Sequence, residues 1–414
     1  MKLYYFTASY PFGLGELWKS NELEILVSQF DEIIVVPYSY DGNFDNPKPL
    51  PTGIKLLGPL FKESSFSYKY IDGIKKVLSS RFRKPFIKEF LGKKVYQRKA
   101  WFGSWLYSSL HILRLMDHEI VQEIIGNLDK NTILYFFWGK GSAEFLPFID
   151  TRRCFKTFVR MHRYDLFETV NNNYIPYRRP LLESINIVAP SSEAGRTHIQ
   201  ELYPDLNYKN KLFRLGTVGN GKQSRSSTDG IFRVVSCSYL SKVKRVELMI
   251  ESLRYLDFPI LWRHVGDGNL RKEIDELIKK YRLQDKFIIE GFIDSRKLLN
   301  FYTSNTFDLF VNVSASEGVP MSIMESLSVA IPVMGTCVGG IGELVDDEVG
   351  KILPPDITSQ ELASAISAYY YLPDSEKKKK RQLAYKRSKE QCDAIKLTNE
   401  LAIFLKSSNS DTEN

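Results

Sequence analysis

The chain has 414 residues, of which 43% are hydrophobic and 26% are charged. This composition is typical of a packed globular protein and excludes a disordered or fibrous chain. The length exceeds the roughly 100 to 200 residues of a usual domain, so we expect two domains. The longest apolar runs stay below the ~20 residues that span a bilayer, so we expect neither a transmembrane helix nor a signal peptide.

Strand-like and helix-like patterns alternate along the first half of the chain. A helix is predicted over 16–30 after the first strand, and the strands are predicted over 2–10, 32–40, 132–139, 154–162, 185–191 and 211–217. Continuous apolar strands separated by longer helices indicate a parallel sheet that is covered on both faces. The first half is therefore predicted to be a doubly wound α/β domain.

Positive charge is concentrated in residues 62–99. The formal net charge of the chain is +8, and this segment alone holds 12 Lys and Arg against 3 acids, a net of +9 that leaves −1 for the remainder. Aromatic side chains are interleaved with the charges, which favours a segment lying on an anionic membrane face or beside a polyanion. A solvated helical face with a few core aromatics is the alternative.

The second half repeats the alternation after a polar segment. Residues 217–230 are rich in Gly, Ser and charge and have no apolar period, so we predict an interdomain linker there. The alternating strands are predicted over 232–238, 260–266, 287–292, 307–314 and 331–337.

These patterns predict two doubly wound domains. The first spans 1–216 and the second 231–390, and a C-terminal helix at about 391–407 can pack back on the first. Two such domains leave a cleft between the carboxyl ends of their strands, where open α/β sheets bind ligands. The four cysteines, at 154, 237, 337 and 392, match neither a disulfide framework nor a metal site, so we expect buried structural thiols in a reducing cytoplasm.

The segment SEGVPMSIMESLSVAIPVMGTCVGG places two glutamates around a predicted helix start. Glu317 follows a buried strand, Gly318 allows close backbone approach, and Pro320 suits the first helical turn. The N-terminal N–H groups of the helix favour a phosphate or a sugar hydroxyl. Glu325, about one turn further, can accept two hydrogen bonds from a vicinal diol such as ribose. Alternatively, Glu317 caps the helix and Glu325 is an ordinary surface residue.

This segment is similar to the Glu-x7-Glu signature of retaining glycosyltransferase family 4, whose members have the two-domain GT-B fold. The segments SCSYLSKVKRVELMIESL, HVGDGNLRKEI and VRMHRYDLFE resemble three further motifs of that family, and all four occur in the family's order. The pattern is most similar to bacterial enzymes that assemble capsule, exopolysaccharide or O-antigen chains.

The resemblance implies roles for the basic residues of the second domain. Lys244 matches the lysine that neutralises the diphosphate of a nucleotide-sugar, and Arg245 lies beside it. Tyr239 departs from the pattern, because many members carry an arginine there, so diphosphate binding would depend more on Lys244 and Arg245. An ordinary exposed lysine is the alternative for Lys244.

Further donor contacts are implied by the same resemblance. Glu317 would hold hydroxyls of the donor sugar, and Glu325 would bind the nucleotide. The backbone contacts to the donor are expected at Gly291 and Phe292, which would meet the base, and at Gly318, Val319 and Pro320.

The first domain contributes candidates of its own. His162 follows a predicted strand and resembles the histidine that contacts the donor sugar near the reacting carbon, although a lone histidine is often structural. Asp165 either orients His162, binds acceptor or caps a helix. Gly13 and Gly15 form a glycine loop after the first strand, which in the family lies near the donor phosphates or the acceptor, but any tight turn could use this spacing.

The resemblance predicts a retaining glycosyltransferase that moves a sugar from a nucleotide-sugar to a growing, lipid-linked surface polysaccharide. No Asp-x-Asp motif occurs in the chain, so we expect neither a metal nor another cofactor. A nucleotide-sugar 2-epimerase and a non-catalytic nucleotide-sugar-binding protein of the same fold are the alternatives. We expect no nucleic-acid partner, and a cytoplasmic protein that is peripheral on the inner face of the cytoplasmic membrane.

Overall fold

A computed structural model describes residues 1–12, 16, 19–40, 47–63 and 65–408, apart from the side chain of residue 296. The chain divides into two compact units. The first unit comprises Met1–Phe213 and Thr398–Asn414, and the second comprises Arg214–Leu397.

The described residues form one parallel sheet of six strands in each unit. In the first unit the strand order is β3-β2-β1-β4-β5-β6. The strands are β1 (Lys2–Thr7), β2 (Glu32–Pro37), β3 (Ile54–Leu56), β4 (Thr132–Phe136), β5 (Lys156–Met161) and β6 (Ile187–Pro190). Those of the second unit are β7 (Phe232–Cys237), β8 (Ile260–Val265), β9 (Phe287–Gly291), β10 (Leu309–Asn312), β11 (Val333–Thr336) and β12 (Gly350–Leu353).

The second sheet has the order β12-β11-β10-β7-β8-β9. Read from its other edge, with strands counted from the first strand of the unit, this is the order of the first sheet. Every strand pair in both sheets is parallel. In each sheet the strand order reverses between the first and fourth strands, and such a switch point is where doubly wound sheets bind ligands. The prediction of two doubly wound, Rossmann-like domains is confirmed.

Helices connect the strands, as parallel pairing requires. In the first unit they are α1 (Lys19–Leu26), α2 (Tyr70–Ser79), α3 (Arg83–Gly92), α4 (Lys99–Met116), α5 (Glu119–Gly126), α6 (Arg163–Leu166), α7 (Arg178–Ser184) and α8 (Glu193–Leu202). From the second unit onward they are α9 (Val246–Ser252), α10 (Arg271–Lys280), α11 (Ser295–Ser304), α12 (Met321–Ser328), α13 (Ile341–Leu344), α14 (Ser359–Tyr370), α15 (Asp374–Gln391) and α16 (Ala394–Lys406).

The last helix, α16, ends in the first unit. Phe404 packs against Phe213 with their ring centroids 4.9 Å apart. The buried Lys156 Nζ donates to the carbonyl oxygens of Phe404 and Ser407 at 2.8 Å each. These contacts attach residues from the end of the chain to the first sheet through β5.

Two predicted segments differ from the structure. Residues 211–217 follow the edge of β6 through bonds from Lys211 N to Val188 O and from Phe213 N to Pro190 O, and they continue that sheet only locally. The predicted linker 217–230 lies within the second unit, because Ser227 donates to Asp308 and Ser224 N donates to Val329 O. The polar residues of this segment therefore make hydrogen bonds to the second unit, and the segment is part of that unit.

The cysteines differ partly from the prediction of buried thiols. Cys154 and Cys392 are buried, Cys237 is half-buried, and Cys337 is exposed after β11. Among the described helices, none is both long enough and apolar enough to cross a bilayer.

Candidate active site

The switch point of the second sheet brings two of the predicted residues together. Strands β7 and β10 are neighbours, Lys244 lies in the connection after β7, and Glu317 lies in the connection after β10. Lys244 Nζ donates to Glu317 Oε1 at 2.5 Å. The two side chains are 21% and 9% exposed, so this ion pair is largely buried at the carboxyl edge.

Further polar groups hold the Glu317 carboxylate. Its Oε1 also accepts from Ser314 Oγ at 2.6 Å and from Asn312 Nδ2 at 3.4 Å. Within the described part of the chain, its Oε2 has no hydrogen-bond donor. One carboxylate oxygen of Glu317 is therefore fixed by the protein, and the other can accept from a ligand.

Arg245 has a different role from that of its neighbour. Its Nε donates to Val313 O at 2.5 Å and its terminal nitrogen donates to Ser314 O at 3.4 Å. The backbone of Arg245 is left-handed, with a φ of 51°, at the residue that precedes α9. Arg245 thus ties the connection after β7 to the one after β10, and this structural task competes with the predicted contact to a diphosphate.

A glycine that the sequence did not assign holds the Glu317 loop from the other side. At Gly339, whose φ is +55°, a Cβ would lie 2.1 Å from Glu317 O. The next residue, Gly340, donates its N–H to Gly318 O at 2.6 Å. The close backbone approach expected at Gly318 therefore depends on Gly339, and the Gly-Gly pair in the motif was the available signal.

Glu325 lies on α12, which begins at Met321 after Pro320. The residue is 7% exposed, and within the described chain its carboxylate has no hydrogen-bond donor. Burial raises the pKa of Glu325 to about 7. The alternative of a surface residue is wrong, and the N-cap residue of α12 is Pro320 rather than Glu317.

The glycine turn after β8 packs against the loop after β7. A Cβ on Gly266 would lie 1.9 Å from Ser238 O, and one on Gly268 would lie 2.6 Å from Leu240 O. Gly266 N donates to Gly291 O at 2.9 Å, and Gly291 has a φ of +74°. Phe292 follows with 52% exposure.

In the first unit, His162 directly follows β5. Its ring centroid lies 5.0 Å from that of Phe137 and 4.7 Å from that of Trp138. Its Nδ1 lies 3.1 Å from Ser191 Oγ. Burial, followed by the charges of Arg160 and Lys19, holds the pKa of His162 well below its ordinary value, so the ring is neutral at pH 7.

Asp165, three residues after His162, is fully buried. Its carboxylate accepts from His162 N at 2.5 Å and from Gly139 N, and Arg178 donates to its carbonyl oxygen. Burial raises the pKa of Asp165 to about 6. These contacts are those of a capping box at the start of α6, in which His162 is the N-cap residue and Asp165 accepts from its backbone N–H, so the structure supports the helix-capping alternative. A fully buried side chain also has no surface to offer an acceptor.

The predicted glycine loop, Gly13 and Gly15, lies outside the described residues. The neighbouring Glu16 accepts three backbone N–H bonds, from Ala8, Ser9 and Tyr10, at 2.8 to 3.1 Å.

The other oxygen of Glu16 accepts from Lys19 and from Trp138 Nε1 at 2.7 Å. Lys19 is fully buried, lies 3.9 Å from the Phe137 ring centroid, and has its pKa lowered by burial to about 8. Sequence reasoning missed this network, and a glutamate directly after the second glycine was the signal.

The described residues contain no group of three or more His, Cys, Asp or Glu side chains that could hold a metal ion.

Residues 221–390 match the family of glycosyl transferases group 1. The chain is 26% identical over 220 residues to the putative colanic acid biosynthesis glycosyltransferase WcaL of Escherichia coli strain K12, a match that covers 50% of this chain and 53% of that protein. The chain spans about half the length of the curated relatives that it matches first.

Solved structures match almost the whole chain. Anabaena Alr3699/HepE in complex with UDP has a TM-score of 0.63 at 16% identity and covers 98% of this chain and 99% of that chain. The apo form of the lipopolysaccharide outer core galactosyltransferase WaaB has a TM-score of 0.66 at 14% identity, with 98% and 100% covered. At these identities the likeness shows the fold, which is the two-domain GT-B type.

Proposed function

We propose that this chain, whose residues 221–390 match the glycosyl transferases group 1 family, moves a sugar from a nucleotide-sugar to a growing surface polysaccharide with retained configuration. The observation that carries the proposal is Glu325, a buried carboxylate without a donor in the described chain, on the helix after the switch-point strand. A vicinal diol of a ribose would supply two donors to it. HepE, whose fold this chain shares, was solved with UDP.

The leaving diphosphate would be stabilised by the protein alone. The first N–H groups of α12 and the ammonium of Lys244 would face the negative charge that develops as the glycosidic bond to the phosphate breaks. Electrostatic stabilisation of this kind is often worth about 3 kcal/mol per key donor. Lys244 Nζ already donates to Glu317 Oε1, so the diphosphate would either share the Lys244 ammonium with Glu317 or displace Glu317 from it.

Glu317 is proposed to accept hydrogen bonds from hydroxyls of the donor sugar. Its Oε1 is held by Lys244 and Ser314, which leaves Oε2 for the ligand. We do not assign Glu317 as a covalent nucleophile. In the family that this chain resembles, the acceptor attacks the sugar on the face from which the phosphate departs, and the phosphate assists that attack. His162 stays a predicted donor-sugar contact, and its neutral ring suits a hydrogen bond better than charge neutralisation.

The acceptor is proposed to be a lipid-linked glycan at an anionic membrane. Helices α2 and α3 lie within the basic segment 62–99 and expose apolar side chains between their lysines: Ile71, Leu78, Ile87 and Leu91 are 69%, 48%, 37% and 59% exposed. Of the three acids in this segment, Glu89 is buried and bonded to Tyr174. An exposed apolar face flanked by lysines is the composition of an interfacial helix.

A ligand screen followed by a product assay tests the proposal. Unfolding would be followed by thermal shift with UDP, GDP, ADP and TDP, since a ligand at 100 times its dissociation constant stabilises by about 2.7 kcal/mol. The stabilising nucleotide then identifies the donors for a transfer assay, and NMR of the product's anomeric centre reads the configuration.

We expect stabilisation by one nucleotide, glycosyl transfer and a retained anomer. Conversion of the donor to its 2-epimer would establish the epimerase instead. Stabilisation without turnover on any donor, in the presence of membrane-extracted acceptor, would establish a non-catalytic binding protein.

A further inference from the structure

A buried carboxylate of the first unit joins several segments near His162. The side chain belongs to Glu16, which is 6% exposed. Its Oε2 accepts from three successive backbone N–H groups of residues 8–10, which follow β1. Its Oε1 accepts from Lys19, the first residue of α1, and from Trp138 Nε1, two residues after β4. Because one charged acceptor binds all of these donors, it fixes the segments relative to one another.

Both groups that bind Glu16 Oε1 also contact the aromatic rings that pack on His162. The ring centroid of Trp138 lies 4.7 Å from that of His162, and the ring centroid of Phe137 lies 5.0 Å from it. Lys19 Nζ lies 3.9 Å from the Phe137 ring centroid. The attraction between an ammonium and a ring face is stronger where water is excluded. Glu16 therefore holds Trp138 directly and Phe137 through Lys19.

The ion pair between Glu16 and Lys19 is formed at neutral pH despite its burial. Burial alone would raise the pKa of Glu16, but the charge of Lys19 and hydrogen bonds from Lys19, from a backbone N–H and from the Trp138 indole hold that pKa below its ordinary value. Burial lowers the pKa of Lys19 to about 8, so the ammonium keeps its proton at pH 7. The hydrogen bonds to Glu16 are therefore charge-assisted, which makes them stronger than neutral ones.

A second buried carboxylate in the same unit binds the sheet itself. Glu22 Oε1 accepts from the hydroxyls of Tyr5 and Tyr135 at 3.0 and 2.7 Å. Arg160 donates to Glu22 Oε2 at 2.9 Å. These donors lie within β1, β4 and β5, so Glu22 crosslinks the strands. The donors to Glu16 lie beyond the ends of β1 and β4 or at the start of α1, so Glu16 organises the carboxyl edge instead.

We propose that Glu16 is a positioning residue, which fixes the imidazole of His162 through the two aromatic rings so that the imidazole meets the donor sugar in one orientation. This inference rests on the proposed transferase function and on the predicted contact of His162 with the donor sugar. Ser191 Oγ lies 3.1 Å from His162 Nδ1 and supplies a polar contact, while the aromatic rings supply the packing. A small misplacement of a group that orients a substrate can lower the rate strongly.

Variants that remove one contact at a time test the proposal on the full chain. Glu16→Gln removes the charge but retains the size and one oxygen acceptor. Trp138→Phe removes the indole N–H but retains a ring beside His162. Glu24→Gln is the matched control, because Glu24 lies on α1 and is exposed. The double variant Glu16→Gln, Trp138→Phe measures whether the two residues act through one another.

The first measurement needs no substrate. NMR of protein with labelled histidine and tryptophan follows the His162 ring signals, which nearby aromatic rings displace, and the Trp138 indole N–H signal. The variants His162→Gln and Trp138→Phe assign these signals by their disappearance. We expect the His162 signals to shift in Glu16→Gln and in Trp138→Phe, and the indole signal to shift in Glu16→Gln. Glu24→Gln should leave all of these signals unchanged.

The second measurement is steady-state transfer. We expect Glu16→Gln and Trp138→Phe each to lower kcat at least about tenfold, because the imidazole is misplaced. The donor KM should change little, because the proposed nucleotide contacts lie in the second unit. The double variant should be no slower than the slower single variant. A role in stability alone would lower the Tm and leave the rate per folded molecule unchanged.

Two results would overturn the inference: His162 signals that stay in place in the variants, or rate losses that multiply in the double variant. If Glu16→Gln does not fold, Trp138→Phe decides by the same His162 shift and the same loss of kcat. If the wild type transfers no sugar, the transferase proposal fails. The substrate-free NMR then still decides whether Glu16 orients His162.

Discussion

Lys244 Nζ lies 2.5 Å from Glu317 Oε1, although the two residues are 73 positions apart in the chain. The contact exists because β7 and β10 are neighbours in the second sheet and each strand delivers one partner at its carboxyl end. Breaking a largely buried pair by removing one charge leaves the other without compensation. The pair therefore keeps both groups in place before a donor arrives.

Removal of Glu317 or Glu325 should have separable effects. Glu317→Ala should lower turnover on the order of a hundredfold with a smaller change in nucleotide affinity, because it removes contacts to the reacting sugar. Glu325→Ala should chiefly weaken nucleotide binding. Steady-state kinetics and nucleotide titration measure the two effects, and Glu273→Ala on the exposed face of α10 is the control. Wild-type binding and rate in both variants would contradict the site.

The pH dependence of stability should reveal the burial of Glu325. Burial raises the pKa of Glu325 to about 7 from 4.5, so the unfolded chain releases this proton first, and the carboxyl group destabilises the fold as pH rises through that interval. Glu325→Gln removes the penalty and should stabilise the ligand-free protein by about 3 kcal/mol at pH 8.

Urea unfolding of wild type and Glu325→Gln between pH 4.5 and pH 8 measures this effect. The stability difference should be small at the acid end and should grow toward pH 8. A difference that does not change with pH would show that Glu325 is not a desolvated carboxyl group.

Gly339 should tolerate no side chain. Gly339→Ala places a Cβ 2.1 Å from Glu317 O at a φ of +55°, so the Glu317 loop must move. We expect destabilisation by about 1 to 3 kcal/mol together with lower turnover.

Gly342→Ala is the matched control. Gly342 lies within α13, and a Cβ there would have one contact within 4 Å outside the helix's own backbone, with Cys337 Sγ at 3.8 Å. Thermal melts and kinetics of both variants test the difference. Equal melting temperature and equal turnover in the two alanine variants would show that Gly339 does not hold the Glu317 loop in place.

Transfer should persist in excess EDTA. The prediction rests on the missing Asp-x-Asp motif and on Lys244 as the cation proposed for the leaving diphosphate. The product assay would be run after exhaustive chelation, with Mg²⁺ or Mn²⁺ added back in parallel. Complete loss that either metal restores would reject the metal-independent reaction.

Binding to anionic vesicles should depend on the α2 surface. Lysines near an anionic surface contribute about 1 kcal/mol each, so the double variant Lys75→Glu, Lys76→Glu should weaken sedimentation with such vesicles at least tenfold. Binding should also fall with salt as charges are screened.

The control for this experiment carries the same charge change elsewhere. Lys378→Glu, Lys379→Glu alters exposed lysines of α15 in the second unit and should sediment like wild type. Equal recovery on neutral and anionic vesicles would return residues 62–99 to the solvated-face interpretation.

The sequence by itself determined the architecture of the two units. Apolar strands alternating with helices require parallel sheets, and the glycines and glutamates of one motif follow one strand, so these features are local in the chain. Glu317 and Glu325 could be named from that motif before their positions were known, whereas Lys244 was named from the resemblance to a known family.

Only the tertiary structure decided what those residues touch. The tertiary structure brings Lys244 to Glu317 and Arg245 Nε to Val313 O. It also buries Asp165, whose carboxylate accepts from His162 N. Trp138 Nε1 donates to Glu16 Oε1, 122 positions away in the chain, and no local pattern marks these two residues as neighbours. Contacts between residues far apart in the chain follow from topology and packing, whereas periodicity and short motifs report only on the nearest neighbours in sequence.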